Sequence, residues 1–141
     1  MLEVGGFTPL STTDWPDRLV AVVFVQGCPW RCHYCHNADL QPRSGAPRGA
    51  WDQVLELLRR RQGLLDGVVF SGGEPTLQSA LPTAMATARE LGFAAGLHSA
   101  GIRPAAFLRA LPQADWVGFD IKAMPEDAEA VTGVAGSGEA N

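Results

Sequence analysis

Three cysteines lie within eight positions of one another, in the stretch GCPWRCHYCHN at residues 27–37. They are the only thiols in the sequence, and they are spaced as Cys28-x3-Cys32-x2-Cys35. Thiols this close together are a poor framework for disulfides and a good one for a metal, which indicates a reducing compartment such as the cytoplasm. Three thiolates leave one corner of a four-coordinate site unfilled, so the chemistry depends on what occupies that corner.

Two kinds of metal centre fit this spacing. A zinc ion would take a fourth ligand from His33 or His36 to complete a tetrahedral set. An iron–sulfur cluster held by three thiolates would instead keep one iron open to a small molecule. The thiols alone leave zinc, a cluster and no metal as alternatives. The stretch SGGE at residues 71–74 favours the cluster, because it offers partners for the amino and carboxylate groups of an amino acid bound to the open iron.

The polar motifs follow short apolar runs that have the character of β-strands. The first run, LVAVVFV, is continuous and β-branched, which is typical of a strand buried on both faces of a parallel sheet. The third run is richer in Ala and Gly and predicts a strand more weakly. The four runs cover residues 19–25, 67–70, 93–97 and 116–121.

Helical periodicity separates these runs. Apolar residues recur at helical spacing after the first run and again after the second, and Pro104 begins a short third helix. The two faces consist of Trp51, Val54, Leu55 and Leu58, and of Leu81, Met85, Ala88 and Leu91. Alternating strands and helices predict an α/β fold with a parallel sheet of about four strands. Residues 1–18, rich in Gly, Thr, Asp and Pro, are expected to be extended or turning.

Chemically distinctive residues come directly after each predicted strand. The cysteines follow the first strand, and SGGE follows the second. His98 and Ser99 follow the third strand, and Asp120 with Lys122 closes the fourth. Because the carboxyl ends of parallel strands open at one edge of an α/β fold, these residues are expected to form a single active site.

Composition excludes several classes of function. The chain has 141 residues with a net charge of −4, 46% hydrophobic and 18% charged residues, as in an ordinary folded domain. This acidic balance provides no electrostatic footprint for nucleic acid. No apolar stretch approaches the roughly 20 residues that span a bilayer, so no membrane association is expected. The first residues, MLEVGGFTPL, lack the pattern of a signal peptide.

Several motifs together resemble the radical S-adenosylmethionine (SAM) superfamily. They are the C-x3-C-x2-C loop after the first strand, the aromatic Tyr34 before the last cysteine, and Gly-Gly-Glu after the second strand. The stretches GGFTPLSTTDWPDR, VVFVQGCPWRCHYCHN, FSGGEPTLQ and GFDIK look more closely like the activating enzymes of glycyl radical enzymes. Within that group, they are most similar to the type that activates anaerobic ribonucleoside-triphosphate reductase. The resemblance covers about residues 4 to 131.

This resemblance implies two cofactors and a set of residues that bind them. Cys28, Cys32 and Cys35 would hold a 4Fe–4S cluster, and SAM would occupy the fourth iron through its amino nitrogen and carboxylate. The resemblance and the positions after the strands assign the remaining cofactor-binding residues. Tyr34 would lie near the adenine, and Lys122 would contact the methionine carboxylate. The methionine amino group would be bound by Gly72, Gly73 and Glu74, and the residues after the third strand are His98 and Ser99.

The resemblance also implies a reaction. In this family a reduced cluster passes one electron to the sulfonium, the S–C5′ bond breaks, and a 5′-deoxyadenosyl radical takes a hydrogen atom from a glycine of the partner enzyme. The implied partners are an anaerobic ribonucleotide reductase as protein substrate and a flavodoxin- or ferredoxin-type electron donor. The protein would supply binding, orientation and water exclusion.

The sequence departs from the family pattern in length and in one turn. Activating enzymes of this type build a partial barrel with more βα units than the four strands counted here. Residues 1–141 are therefore expected to be the N-terminal part of a radical SAM core, an incomplete barrel. Its fourth strand is expected to be buried on both faces and to leave one edge unpaired. The Gly-, Ala- and Ser-rich residues 131–141 are expected to be a frayed end. Asp17 stands where the family turn has a glycine.

Two alternative functions remain open at this stage. One is a radical SAM enzyme acting on a small molecule, as the 7-carboxy-7-deazaguanine synthases do. The other is a truncated, non-catalytic metal-binding module. Residues 36–66 contain no cysteine, which argues against activating enzymes that carry additional clusters between the first motif and the second strand.

Overall fold

The computed structural model of the chain describes residues 1–43 and 49–139. Across these residues, six strands form one sheet in the order β3-β1-β2-β4-β5-β6. The strands are β1 (Glu3–Ser11), β2 (Val20–Val25), β3 (Gly49–Ala50), β4 (Gly67–Gly72), β5 (Ala94–Ser99) and β6 (Trp116–Phe119). The α-helices are α1 (Trp51–Arg59), α2 (Leu81–Glu90), α3 (Pro104–Ala110) and α4 (Ala128–Thr132).

The predicted α/β architecture is confirmed. Strands β2, β4, β5 and β6 pair in parallel as immediate neighbours. Helices α1, α2 and α3 lie between successive strands of this parallel group in the chain. The sheet is not closed, which agrees with the expected partial barrel. All four carboxyl ends therefore meet at one edge of the sheet.

Strand β1 lies in the N-terminal residues that were expected to be extended or turning, where no strand was predicted. Residues 3–11 extend the sheet antiparallel to β2, and the short β3 pairs antiparallel with β1. The register of β1 shifts between Val4 and Gly6 and again between Thr8 and Ser11, so irregularities accommodate its glycines and its proline. A Cβ on Gly5 would lie 2.3 Å from the side chain of Leu40. The glycines and the proline that lower the strand propensity of residues 3–11 therefore lie where the sheet is irregular and where another segment packs closely against β1.

The main core lies between the sheet and helices α1 and α2. Every residue of the predicted first helical face is buried, and Leu58 and Met85 are fully enclosed. They pack in one cluster with strand residues such as Phe70 and Leu97. Burying a side chain of this size contributes about 1.5–3 kcal/mol. The amphipathic spacing therefore fixes which side of the sheet the helices cover.

The opposite face of the sheet is covered by the segment between β1 and β2. Trp15 packs against Val22 and Val69 and stacks on Trp116, with ring centroids 5.2 Å apart and planes inclined by 18°. A Cβ on Gly96 would lie 2.9 Å from the Trp15 ring, so the indole rests directly on the β5 backbone. The segment that carries Trp15 therefore covers this face of the sheet below the carboxyl ends of the strands.

Asp17 has a left-handed backbone with φ of 60°, and it is the one non-glycine residue with positive φ in the described part of the chain. Asp tolerates this region better than most residues. The family glycine expected at this position is explained by the same backbone requirement.

The C-terminal residues correct one expectation. Instead of fraying, residues 131 and 132 complete α4 (Ala128–Thr132), which ends at Gly133 in a left-handed conformation. The Thr132 hydroxyl donates to that of buried Ser137 at 2.7 Å. The backbone N–H of Arg31 donates to the Thr132 carbonyl at 2.7 Å, so this helix packs under the cysteine loop. Thr132 itself is fully buried. The last two residues of the chain lie outside the described residues.

Strand β6 forms the edge of the sheet, with β5 as its neighbour. The prediction that the fourth strand is buried on both faces is wrong, because its residues are half-buried or exposed. Phe119 is 47% exposed and Ile121, just beyond the strand, is 70% exposed. No helix in the described ranges is long and apolar enough to cross a membrane.

Candidate functional site

A cavity of about 500 Å³ opens at the carboxyl ends of the four parallel strands. Its size falls within the range of small-molecule sites. All ten residues that the sequence analysis assigned to cluster or cofactor binding line it: Cys28, Cys32, Cys35, Tyr34, Gly72, Gly73, Glu74, His98, Ser99 and Lys122. The strand-end motifs therefore line one cavity, and their binding roles stay predictions.

The cysteine loop is held in shape by its own main chain. Gly27, with φ of 98°, turns the chain out of β2, and its N–H donates to the Leu40 carbonyl at 2.7 Å. The N–H of Cys28 donates to the Gln41 carbonyl at 3.0 Å. The guanidinium of Arg31 donates to the Cys28 carbonyl at 2.6 Å. These bonds close the loop at its base and leave all three thiols half-buried.

Burial disfavours the thiolate form of two of the three cysteines. Burial raises the pKa of Cys28 to about 11, and neighbouring Glu74 and the other two thiols add to the increase. Burial also raises the pKa of Cys32. A metal centre would supply the charge that holds such groups as thiolates.

The donors around the thiols include one of the two histidines proposed as a zinc ligand. In the described residues, no three His, Cys, Asp or Glu side chains are close enough together to hold a single ion. A tetrahedral zinc site would draw its thiolates to about 2.3 Å from one centre. His36 lines the cavity, whereas His33 is not among its lining residues. All three half-buried thiols line the one cavity, where a cluster would offer a different iron to each thiolate.

The two glycines after β4 permit close contact between two loops. A Cβ on Gly73 would lie 2.2 Å from the Gly27 carbonyl oxygen, and one on Gly72, whose φ is 111°, would lie 2.4 Å from the Val25 nitrogen. The N–H of Gly73 donates to the Val25 carbonyl at 3.0 Å, and that of Glu74 to the Gly27 carbonyl at 2.9 Å. The Gly-Gly turn and the cysteine loop therefore form one rigid unit.

The Glu74 carboxylate is almost fully buried, with 1% of the residue exposed. Oε1 accepts hydrogen bonds from the Thr76 N–H at 3.1 Å, the Thr76 hydroxyl at 2.6 Å and the Ser99 hydroxyl at 2.8 Å. Oε2 accepts one from the Ala100 N–H at 3.0 Å. Its role at a bound amino group stays a prediction. What the geometry shows is a carboxylate that joins the turn after β4 to the end of β5.

His98 and Ser99 also make hydrogen bonds within the chain. The ring nitrogens of His98 lie 2.9 Å from the Asp14 carbonyl oxygen and 3.1 Å from the Ser71 hydroxyl. The Ser99 hydroxyl, besides donating to Glu74, accepts from the Gly101 N–H at 3.0 Å. Their predicted contacts with a cofactor stay predictions.

Lys122 and Tyr34 meet across the mouth of the cavity. The Lys122 ammonium lies 5.9 Å from the centre of the Tyr34 ring, and the Tyr34 hydroxyl donates to the Lys122 carbonyl at 3.3 Å. Burial lowers the pKa of Lys122, but its hydrogen bond to Asp120 and the charge of that carboxylate outweigh burial, so the pKa lies above its ordinary value. A protonated amine therefore stands at this wall, as a carboxylate ligand requires.

Sequence reasoning left several lining residues without a binding role, Ser71 and Asp120 among them. Both lie inside motifs that were recognised, so their positions after β4 and β6 carried the signal. Trp30 also lines the cavity and is 3% exposed. The Asp14 carbonyl could not be found in this way, because its contact with His98 spans 84 positions of the chain.

Known proteins resemble the chain in sequence. A Methanocaldococcus jannaschii protein named as a glycyl-radical enzyme activating enzyme is 33% identical over 124 residues, 84% of this chain and 50% of that protein. A pyruvate formate-lyase-activating enzyme of Clostridium pasteurianum is 34% identical over 132 residues, 90% of this chain and 55% of that enzyme. The chain thus spans about half the length of the curated relatives it matches.

A solved structure shares the fold. The crystal structure of QueE from Escherichia coli aligns with a TM-score of 0.58 at 16% identity, over 72% of this chain and 53% of that one. The family described as the Radical SAM superfamily matches residues 22–140. Its members use a 4Fe–4S cluster and SAM, which confirms the two predicted cofactors. The strand-end cavity, the cysteine loop and this match agree, and the chain belongs to the radical SAM superfamily.

Proposed function

We propose that the protein activates an anaerobic ribonucleoside-triphosphate reductase by generating a glycyl radical on it. The observation that carries this proposal is the single cavity lined by the three cysteines, the Gly-Gly-Glu turn and Lys122. These groups provide thiolates for a cluster and polar partners for an amino acid in one enclosed space. In this assignment the chain is the N-terminal part of a radical SAM core.

Cys28, Cys32 and Cys35 would hold the cluster, and the other predicted residues would bind SAM or position the groups that bind it. A cluster bound there would supply the electron that cleaves the S–C5′ bond of SAM, so that methionine would leave and the 5′ carbon could take a hydrogen atom from glycine. The protein's share of this chemistry is to bind and orient the reactants.

The chain's own groups are suited to that share. The Lys122 ammonium would pair with the methionine carboxylate, since charge-assisted hydrogen bonds are the strong ones. The Tyr34 ring, beside Lys122, would stack on the adenine. The Gly72–Gly73 backbone, which lines the cavity, would meet the ammonium. Trp30, almost fully buried at the cavity wall, would exclude water from the cluster.

Two sets of observations support a glycyl radical enzyme as the partner. The relatives from Methanocaldococcus jannaschii and Clostridium pasteurianum are both named as activating enzymes. The stretches STTDWPDR and YCHN favour the ribonucleotide reductase type, and residues 36–66 contain no cysteine for an additional cluster. A flavodoxin- or ferredoxin-type protein would supply the electron.

The test is anaerobic reconstitution of the chain with iron and sulfide, followed by reduction and addition of SAM. We expect iron uptake with a brown colour and formation of 5′-deoxyadenosine, both lost in Cys32→Ala. Adding a purified anaerobic ribonucleotide reductase should give a glycyl radical signal in electron paramagnetic resonance. Pyruvate formate-lyase, assayed in parallel, tests the choice of partner.

Other outcomes would identify a different function. 5′-Deoxyadenosine without a glycyl radical on either partner would favour a radical SAM enzyme that acts on a small molecule. Stoichiometric zinc in a colourless protein, with no iron uptake, would favour a metal-binding module without turnover. Because the chain spans about half of its relatives, a version extended by further βα units is the matched comparison for activity.

A further inference from the structure

Both ring nitrogens of His98 have hydrogen-bond partners, and one of those partners fixes the tautomer. Nε2 lies 2.9 Å from the backbone carbonyl oxygen of Asp14. A carbonyl oxygen has no proton to give, so Nε2 must carry the proton and donate it. Nδ1 of the neutral ring is then an acceptor, and the group that faces it at 3.1 Å is the hydroxyl of Ser71.

The ring is held in place by packing as well as by hydrogen bonds. It lies edge-on to Trp116, with centroids 5.5 Å apart and planes inclined by 65°. A Cβ on Gly118 would come within 2.7 Å of its Cδ2 atom, so the ring rests on the β6 backbone. Trp116 is itself stacked on Trp15. The orientation of His98 is therefore determined by the segment between β1 and β2 and by strand β6.

We infer that His98 directs the Ser71 hydroxyl proton away from the ligand, so that the Ser71 oxygen faces the cavity as a hydrogen-bond acceptor and binds a hydroxyl or amino group of the ligand. Ser71 lines the cavity and is half-buried. Its single proton is used by Nδ1 of His98, and a hydroxyl oxygen retains lone pairs for a further donor. Ser71 is thus a binding residue and His98 its positioning residue.

This inference rests on the proposed function, because it takes SAM as the ligand. SAM carries four donor groups: the two ribose hydroxyls, the adenine amino group and the methionine ammonium. An acceptor at Ser71 would match one of them and would disfavour a ligand that presents only lone pairs there. Analogues of SAM that each lack one donor group identify which donor it is.

The experiment measures the dissociation constant of SAM for the cluster-loaded chain by calorimetry. Ser71→Ala should weaken binding about 3- to 10-fold, the range of one neutral hydrogen bond. Ser79→Ala, at an exposed serine outside this cavity, is the matched control and should change nothing. One of the SAM analogues should bind the unaltered chain as weakly as SAM binds Ser71→Ala. The same analogue should bind Ser71→Ala with no further loss of affinity.

Two substitutions of His98 separate positioning from support of the fold. His98→Asn keeps an acceptor near the Nδ1 position and should retain SAM affinity while lowering the thermal midpoint. His98→Gln keeps a donor near the Nε2 position and should retain the thermal midpoint while weakening SAM binding to the level of Ser71→Ala. A purely structural histidine would give affinities that follow stability in both variants, which would overturn the inference.

The two proposals fail differently. If the unaltered chain binds the cluster but no SAM, the proposed function is wrong and the inference with it. If the unaltered chain binds SAM and Ser71→Ala binds it equally well, the inference alone is wrong. Each analogue binds less tightly than SAM by some factor. If that factor is the same in Ser71→Ala as in the unaltered chain for every analogue, Ser71 is not an acceptor for any of the donor groups.

Discussion

Replacing Glu74 by glutamine tests whether this buried carboxylate is an internal acceptor of the fold. The side chain is 1% exposed and accepts four hydrogen bonds. In Glu74→Gln, an amide oxygen at the Oε1 position keeps three donors satisfied, but the amide NH2 then faces the Ala100 N–H. The flipped amide satisfies Ala100 and places its NH2 against the Thr76 N–H. Either orientation turns the amide NH2 toward a backbone donor that the carboxylate accepted from.

The expected cost follows from these contacts. A buried donor left unsatisfied costs about 1–3 kcal/mol, and hydrogen bonds to a charged acceptor are worth roughly 1 kcal/mol more than neutral ones. We therefore expect Glu74→Gln to lower the free energy of unfolding by about 3 kcal/mol. That is a large share of the roughly 5–15 kcal/mol that holds a domain folded.

Urea unfolding of the metal-free chain, followed by tryptophan fluorescence, measures this cost without interference from cofactors. Glu90→Gln, at an exposed position at the end of α2, is the matched control and should stay within about 0.5 kcal/mol of the unaltered chain. If Glu74→Gln is as stable as that control and loses SAM binding, the carboxylate serves the ligand and the reasoning here is refuted.

Three further predictions concern the loop, the turn and the sheet edge. Gly73→Ala should cost about 1–3 kcal/mol in urea unfolding, because its Cβ would meet the Gly27 carbonyl oxygen at 2.2 Å; unchanged stability would mean that the two loops separate freely. Asp17→Ala should lower stability by about 1–2 kcal/mol because of its left-handed backbone, while Asp17→Gly should not; equal losses would exclude this cause. Light scattering should show self-association of the chain that Ile121→Lys reduces, since this residue is 70% exposed beside the sheet edge; a monomeric unaltered chain would contradict it.

The parallel sheet was predictable and strand β1 was not, for one physical reason. The run at β2 is apolar on both faces, so burial alone identifies it as a strand. The stretch GGFTPLS contains residues that weaken strand propensity, and its place in the sheet depends on pairing with β2 through two register shifts. Such pairing is a tertiary interaction that outweighs local preference. The wrong expectation of a frayed C-terminus has the same origin, because α4 is held by the contact between Thr132 and Arg31.

The lining of the site was predictable because strand order alone brings its motifs to one edge. The hydrogen bonds of those residues were not predictable. Glu74 and Ser99 are 25 positions apart and bond to each other in the buried wall, and His98 reaches back to Asp14. Composition and spacing show which residue types follow a strand. They do not show which of those residues make hydrogen bonds that stabilise the fold. That distinction decides whether a polar residue is a ligand or a support.

Hydrogen bonds close the rim of the cavity although the sheet beneath it is open. The Glu74 N–H joins the turn after β4 to the cysteine loop at Gly27, and the Glu74 carboxylate joins that turn to β5. The N–H of Asp120 donates to the Ser99 carbonyl at 3.0 Å and joins β5 to the end of β6. The Tyr34 hydroxyl donates to the Lys122 carbonyl and returns to the cysteine loop. A closed ring of this kind holds binding groups in place before a ligand arrives, so binding does not have to supply the cost of ordering them.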